Sequence, residues 1–316
     1  MSAQPKFQLK VLSTGKSHIS YSELADWVSC QYKHKLKHVD KLGFDNGSIH
    51  TIFGQVVHDA LEERVNHRKG LHESVQSPDF WRDKFSDDYF AFLLSENYSA
   101  EQKIILFGSD KEKDKTIELY GKFIKTFENI LQNVIEWLDI NFPEWELIDA
   151  EVQIFEPISD DQKDISFKGF IDLIIRTPKF VTRKGVQVKV PNKYVYWILD
   201  WKTTDWGWRR AQKESHIKQI QLLFYKHYFC LKNNIDIKEA NVGWILVKRS
   251  PKKGELPFEL ITFPSTKKKI EEAIFIARQM ISALNLKYYF KNWNECFYCV
   301  YRGTDHCRVV QPGKSK

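Results

Sequence analysis

Hydrophobic positions follow a helical period at both ends of the chain and a two-residue period in between. Ser20 and Glu23 have capping-box spacing, and Leu24, Trp27, Val28 and Leu36 recur at helical intervals, which predicts a first helix to about Lys37. A second amphipathic run, from Phe53 to about Val65, places His58, Leu61 and Glu62 on neighbouring turns. Residues 68–112 mix charges, aromatics and small breakers, and predict short helices and loops. From Lys115 to Phe142 the stripe Ile117, Phe123, Ile124, Phe127, Ile130, Leu131, Val134 and Leu138 predicts a long helix.

After Pro143 the period changes. Glu151 to Phe155 and Ile165 to Thr177 read as strands, the second with the apolar run Phe170, Ile171, Leu173, Ile174 and Ile175 expected of a strand buried on both faces. Residues 176–193 hold six Lys or Arg and no acid, punctuated by Pro178, Gly185 and Pro191, and predict a protruding hairpin. Tyr194 to Lys202 is a third strand, and Arg209 to Leu231 returns to helical spacing. Ala240 to Lys248 and Phe258 to Phe263 read as closing strands, and Ser265 to Tyr289 as a last helix. Strands enclosed by helices early and late predict an α/β core.

Composition narrows the class. With 316 residues, 42% of them hydrophobic, the chain can bury a substantial core, and its net charge of +7 suits an anionic partner. The opening MSAQPKFQLK lacks the apolar run of a signal peptide, and no 18-residue uncharged apolar stretch occurs. The expectation is a soluble, cytoplasmic protein with no membrane partner. Five cysteines in such a chain argue for reduced thiols or metal ligands over disulfides.

Candidate chemistry sits where the strands end. Gly169-Phe-Ile-Asp172 closes one apolar run, and Asp200-Trp-Lys202 closes the next. Hydrolysis of a phosphodiester places hard cations against phosphate oxygens, and Asp172 and Asp200 offer the oxygen ligands that Mg²⁺ or Mn²⁺ prefer. Side chains alternate along a strand, so Asp200 and Lys202 share a face and Trp201 points away. Lys202 then reaches the same water or phosphate, to orient or deprotonate the nucleophile if burial lowers its pKa, or to stabilise the transition state. The plainer alternative is a strand-end ion pair between Asp200 and Lys202. Against it stands the cost of burying uncompensated carboxylates in apolar strands.

Taken in order, these elements resemble the RecB-type nucleases of the PD-(D/E)XK superfamily, a group that includes CRISPR-associated and helicase-linked exonucleases. The resemblance runs over about residues 18 to 307. It rests on His58 in Gly-Gln-Val-Val-His-Asp, Asp172 in Gly-Phe-Ile-Asp, Asp200 and Lys202 in Asp-Trp-Lys-Thr, and Gln221 with Tyr225 on a following helix. It implies a restriction-endonuclease-like core, a central mixed β-sheet flanked by helices, with an N-terminal helical region. It also implies catalytic roles for His58, Asp172, Asp200, Lys202, Gln221 and Tyr225. Metal ligation falls to His58, Asp172, Asp200 and the Trp201 backbone carbonyl, with Glu151 and Glu62 as reserve carboxylates. Read from the residues alone, the favoured reading of His58 is a surface or satisfied core histidine, and that of Gln221 and Tyr225 simple helix packing one turn apart.

Cys296, Cys299 and Cys307 crowd the C-terminal end, and Cys30 joins them if the chain ends meet. The resemblance implies a structural [4Fe-4S] cluster on these four thiolates. A zinc site with His306 replacing one thiolate, or plain buried thiols, are the alternatives. Cys230 is assigned to packing.

Trp206, Trp208, Arg209 and Arg210 follow the Asp-x-Lys strand directly, a mixture of aromatics and guanidinium groups able to stack bases and grip a backbone. Packing of a loop by the two tryptophans is the other reading. Lys248, Arg249, Lys252 and Lys253 read as a solvated turn. The expected organisation is an N-terminal segment 1–17, a helical region 18–145, a nuclease core 146–295, a cysteine cluster 296–307 closing onto Cys30, and a basic tail 308–316. The expected function is a Mg²⁺ or Mn²⁺ dependent DNA exonuclease acting on single-stranded or processed ends in recombination, repair or replication, with a helicase as a candidate partner. A catalytically silent nucleic-acid-binding module and a restriction-like endonuclease or RNase are the rivals.

Overall fold

The computed structural model describes residues 11–42, 49–71, 73–94, 110–159, 162–297 and 299–308. Most of the N-terminal segment, part of the 68–112 stretch and all but the first residue of the basic tail lie outside the described residues. The sheet comprises β1 (His18–Ser20), β2 (Glu146–Ser159), β3 (Gln162–Arg183), β4 (Val186–Thr204), β5 (Ala240–Lys248) and β6 (Phe258–Thr262), in the order β1-β3-β4-β5-β6 with β2 also paired to β3. It is mixed, as expected. β1 runs parallel to β3 and β4 parallel to β5, while β2 and β4 run antiparallel to β3 and β6 antiparallel to β5.

Both faces of the sheet are used. Ile165, Phe167, Ile171, Ile174 and Ile198 pack with helices α1 (Tyr21–Ser29), α7 (His216–Lys232) and α8 (Lys267–Asn285) in one core. Leu173, Ile175, Leu199, Trp201, Ile245 and Val247 pack with α3 (Ile49–Arg68), α4 (Pro78–Leu94) and α5 (Asp110–Asn141) in a second. The short α2 (Gln31–His34) and α6 (Arg210–Lys213) complete the helices named here.

Three elements differ from the expectation. The first helix breaks at Cys30, which is extended (φ −157°, ψ 113°), because the chain turns there to meet the C-terminal segment: the Tyr32 N–H donates to the Phe290 carbonyl at 3.0 Å. Within 68–112, α4 is a full 17-residue helix. Pro78 starts it, the Ser77 hydroxyl accepts from the Phe80 N–H, and Trp81, Phe85 and Tyr89, spaced by four, face α3 and α5. The expected 209–231 helix divides at Ser215, whose hydroxyl caps α7 by accepting from the Lys218 N–H. The basic hairpin is real, and its turn residues Lys184 and Gly185 both have positive φ. Arg249 departs from its expected solvated turn. Its side chain is 9% exposed and its guanidinium lies 4.7 Å from the Phe123 ring centroid. No helix among the described residues is long and apolar enough to cross a membrane.

Candidate active site

The site lies where β4 leaves β3. Their pairing ends at Leu173↔Leu199, so Asp172 and Asp200 occupy the next rung, past the last paired residues. β1 holds the same edge of β3 only at Ser166 to Lys168, which leaves Gly169 to Asp172 bordering an open fork. On the other edge, β2 pairs with β3 through Ala150↔Leu173 and Val152↔Ile171, which puts Glu151 opposite Asp172. A bulge between Leu147 and Asp149 creates that match; without the extra residue Ala150 would take the position. Glu151 is also held at φ +49°, a strained conformation for a residue with a side chain.

One rung thus carries Glu151, Asp172 and Asp200 across three strands, and His58 reaches it from α3. Its Nδ1 lies 3.4 Å from Asp172 Oδ2, and ligand atoms of His58, Glu151 and Asp172 all fall within 4.8 Å of one another. The Trp201 N–H donates to Asp172 Oδ2 at 2.8 Å, which fixes the carboxylate across the fork. Lys202 and Asp200 share a face as expected, with Nζ to Oδ2 at 2.6 Å, while Trp201 is buried in the core that contains α3. Asp200 is 1% exposed, and among the described residues no hydrogen-bond donor meets its Oδ1.

This charge arrangement is expensive without a cation. Burial, reinforced by Asp200, pushes the Asp172 carboxyl well above the usual carboxylate range. Burial with Glu62, Asp59 and Asp200 raises Glu151 to about 7. Burial, then the charge on Lys202, lowers His58 to about 4, so its imidazole is neutral at pH 7 and has a lone pair to offer. Lys202 goes against the expectation that desolvation lowers it. Burial does oppose its charge, but Asp200 and Asp172 outweigh burial and hold it as an ammonium. As an ammonium it sets a positive charge beside the two carboxylates.

Gln221 and Tyr225 come from α7 and stand over the same cleft, with Gln221 Nε2 donating to the Tyr225 hydroxyl at 3.0 Å. Gly169 makes room for this ring, since a Cβ there would sit 2.7 Å from a Tyr225 ring carbon. The cleft, about 630 Å³, is also bordered by Ser20, Tyr21, Ser22 and Gln55. Sequence reasoning kept Glu151 only as a reserve ligand. Its place depends on the bulge, which no local pattern announces.

The expected nucleic-acid contacts lie outside the cleft lining. Trp206 is 75% exposed. Trp208 instead packs on Trp244 with ring centroids 5.1 Å apart, Lys218 Nζ lies 4.7 Å from its ring centroid, and Arg210 pairs with Glu214 at 2.8 Å. Arg209 is exposed.

Cys30, Cys296, Cys299 and Cys307 line one small cavity, all as free thiols, where the two ends of the chain meet. The Asn292 N–H points to Cys30 Sγ at 3.4 Å. His306 is exposed and does not line the cavity. Cys230 is buried among apolar residues of α7, as assigned.

Buried carboxylates with a lysine at the split of a forked mixed sheet are residue types that hydrolysis of a phosphodiester can use. A model of the PD-(D/E)XK nuclease superfamily matches residues 18–304, and the chain belongs to that superfamily. A crystal structure of a protein from Eubacterium rectale named "Putative exonuclease" shares the fold with a TM-score of 0.50 at 13% identity, covering 100% of this chain and 97% of that one. No curated protein matches by sequence.

Proposed function

We propose that the protein is a Mg²⁺ or Mn²⁺ dependent DNA exonuclease that shortens single-stranded or processed ends in recombination, repair or replication, alone or beside a helicase. The observation that carries the reading is the rung itself: Glu151, Asp172 and Asp200 in line across three strands, with His58 and Lys202 at its edges. The donor set fits a hard cation, because it supplies carboxylate oxygens, one neutral imidazole and a buried Asp200 oxygen with no donor. His58, Glu151, Asp172, Asp200 and the Trp201 carbonyl would hold it. A divalent ion in such a site polarises phosphate oxygens and lowers the pKa of water at its surface.

The remaining roles belong to the chain. Lys202, kept charged by two carboxylates, sits beside Asp200 where it neutralises negative charge that builds on the phosphate and the leaving oxygen. The Trp201 N–H locks Asp172 in place, and the Gln221 and Tyr225 pair positions Lys202 and the phosphate beside it. Tyr225 stays a neutral phenol because burial raises it. The preference for ends draws on the Gln221 and Tyr225 spacing and on the name of the structural neighbour.

A [4Fe-4S] cluster on Cys30, Cys296, Cys299 and Cys307 belongs to the same reading, as a clasp between the chain ends. The four thiols line one cavity that His306 does not reach, which favours a centre held by four cysteines over a zinc site with His306 as a ligand.

The test is digestion of end-labelled single-stranded DNA, duplex DNA and RNA in Mg²⁺, Mn²⁺ or EDTA. Stepwise shortening of DNA with either metal, none in EDTA, and none by Asp200→Asn are the expected results. Products of internal cleavage only, or RNA as the sole substrate, would favour the endonuclease or RNase reading. No digestion under any condition would favour a silent binding module.

A further inference from the structure

Beyond the fork, the sheet continues as a strip with exposed side chains among the described residues. Register pairs Gln153 with Phe170 and Phe155 with Lys168, directly following the Glu151 and Asp172 rung, and His18 pairs with Ser166 one step further. Neighbouring residues of these strands that point the other way, Ile154, Ile158, Ile165 and Phe167, are buried in the core that contains α7 and α8. A half-solvated sheet normally sets polar residues on its open face. Here Phe155 is 48% and Phe170 is 44% exposed, and His18 meets Phe155 edge to face with ring centroids 5.7 Å apart. Burial and the charge of Lys168 lower the His18 pKa, so this ring is neutral at pH 7.

Neither phenylalanine belongs to the two large cores formed by the described residues, and the strip is continuous with the cleft: His18, Lys168 and Phe170 all line it. The acidic rung and the Phe155 rung are four residues apart along the strands, about 13 Å. Phe170 and Phe155 lie on successive rungs, about 7 Å apart along the strands, and aromatic side chains so placed, with a lysine among them, match what binds the bases and backbone of an unpaired strand without reading its sequence.

We propose that His18, Phe155 and Phe170, with Lys168, form a stacking track that receives the bases of a single strand leaving or entering the fork. The proposal rests on the nuclease reading and extends it: the substrate near the cut is unpaired, because bases stacked in a duplex have no free face for these rings. Lys168 takes the phosphate between stacked bases. A protein partner or a second copy of the chain on this face is the competing occupant, and the experiment separates it.

The experiment measures equilibrium binding by fluorescence anisotropy, with the cysteine site intact, in an Asp200→Asn background in Mg²⁺. The probes are a labelled oligothymidine and a labelled abasic strand of equal length. The expected result is on the order of tenfold tighter binding of the strand that has bases. Phe155→Leu and Phe170→Leu, which keep apolar area but lose the ring, are expected to remove most of that advantage and leave abasic affinity unchanged. Phe155→Trp and Phe170→Trp are expected to retain it. Equal affinity for the two probes in the parent protein, or leucine variants that discriminate as the parent does, would overturn the track. So would concentration-dependent dimerisation in sedimentation that Phe155→Asp abolishes while oligonucleotide binding is unaltered. If metal-dependent digestion holds and the probes bind equally, the track alone fails. If neither probe binds and no substrate is digested, the nuclease reading fails with it.

Discussion

The fork and the cysteine cavity each gather residues from distant parts of the chain, but they are held by different forces. At the fork, strand register fixes Glu151, Asp172 and Asp200, and the surrounding sheet residues belong to two extensive cores. The cysteine cavity is closed by turns, by the Tyr32 and Asn292 N–H contacts and by a small cluster of Leu36, Tyr301 and Cys307. The first site is pre-organised and carries unfavourable like charge. The second has little apolar burial of its own, so a centre bound by the four thiols, as proposed, would add order there. The contrast predicts that the fork can be silenced without loosening the fold, whereas loss of the proposed cysteine centre would loosen it.

Substitutions sharpen or break that contrast. Asp200→Asn is expected to lower the digestion rate on the order of 10³-fold or more while the melting temperature stays close to that of the parent. A large drop in melting temperature would mean that the fork is not held independently. Cys30→Ser should do the reverse, lowering the melting temperature on the order of 5 °C or more and removing any visible absorbance near 400 nm, with a smaller effect on rate. An unchanged melting curve would make the four cysteines ordinary buried thiols. Gly169→Ala inserts a methyl group 2.7 Å from the Tyr225 ring and is expected to cost about 1–3 kcal/mol in urea unfolding, with digestion slowed as the ring moves off the cleft.

The remaining effect is a pH dependence. Glu151 is raised from 4.5 to about 7 in the fold, so its contribution to stability is fully present below pH 4.5 and is lost as pH rises through about 7. Without metal, Glu151→Gln should therefore melt like the parent at pH 4.5 and above it at pH 8. Added Mn²⁺ should stabilise the parent most at the alkaline end, because it binds the deprotonated carboxylates. A difference between the two proteins that stays constant with pH would place Glu151 outside the charged rung.

Much of the fork could be read from the chain. Asp200 and Lys202 lie near the end of β4 after a local apolar run, Asp172 interrupts such a run in the middle of β3 and not at its end, and Gln221 and Tyr225 lie one turn apart on a helix whose period is plain. Strand alternation correctly set Trp201 away from Lys202. What escaped reading depends on long-range geometry. The bulge that moves Glu151 opposite Asp172 shifts the register by one residue inside an otherwise ordinary strand. β1 has only three residues, too few for a period to appear. The break at Cys30 follows from a partner more than 250 residues away, at Phe290. In α4 the stripe of Trp81, Phe85 and Tyr89 is interrupted by charges that face outward. Arg249 is buried because Phe123 of α5 lies beneath it, a contact that a run of basic residues conceals.

The proposed function requires a divalent cation held between β2, β3 and β4 by carboxylates that repel one another without it. Calorimetric titration of Mn²⁺ into the metal-free protein at pH 8 tests this most directly. Saturable binding that is lost in Asp172→Asn and in Glu151→Gln, and that follows the same concentration dependence as DNA digestion, is the predicted result. Binding that survives both substitutions, or digestion that proceeds in excess EDTA, would contradict it.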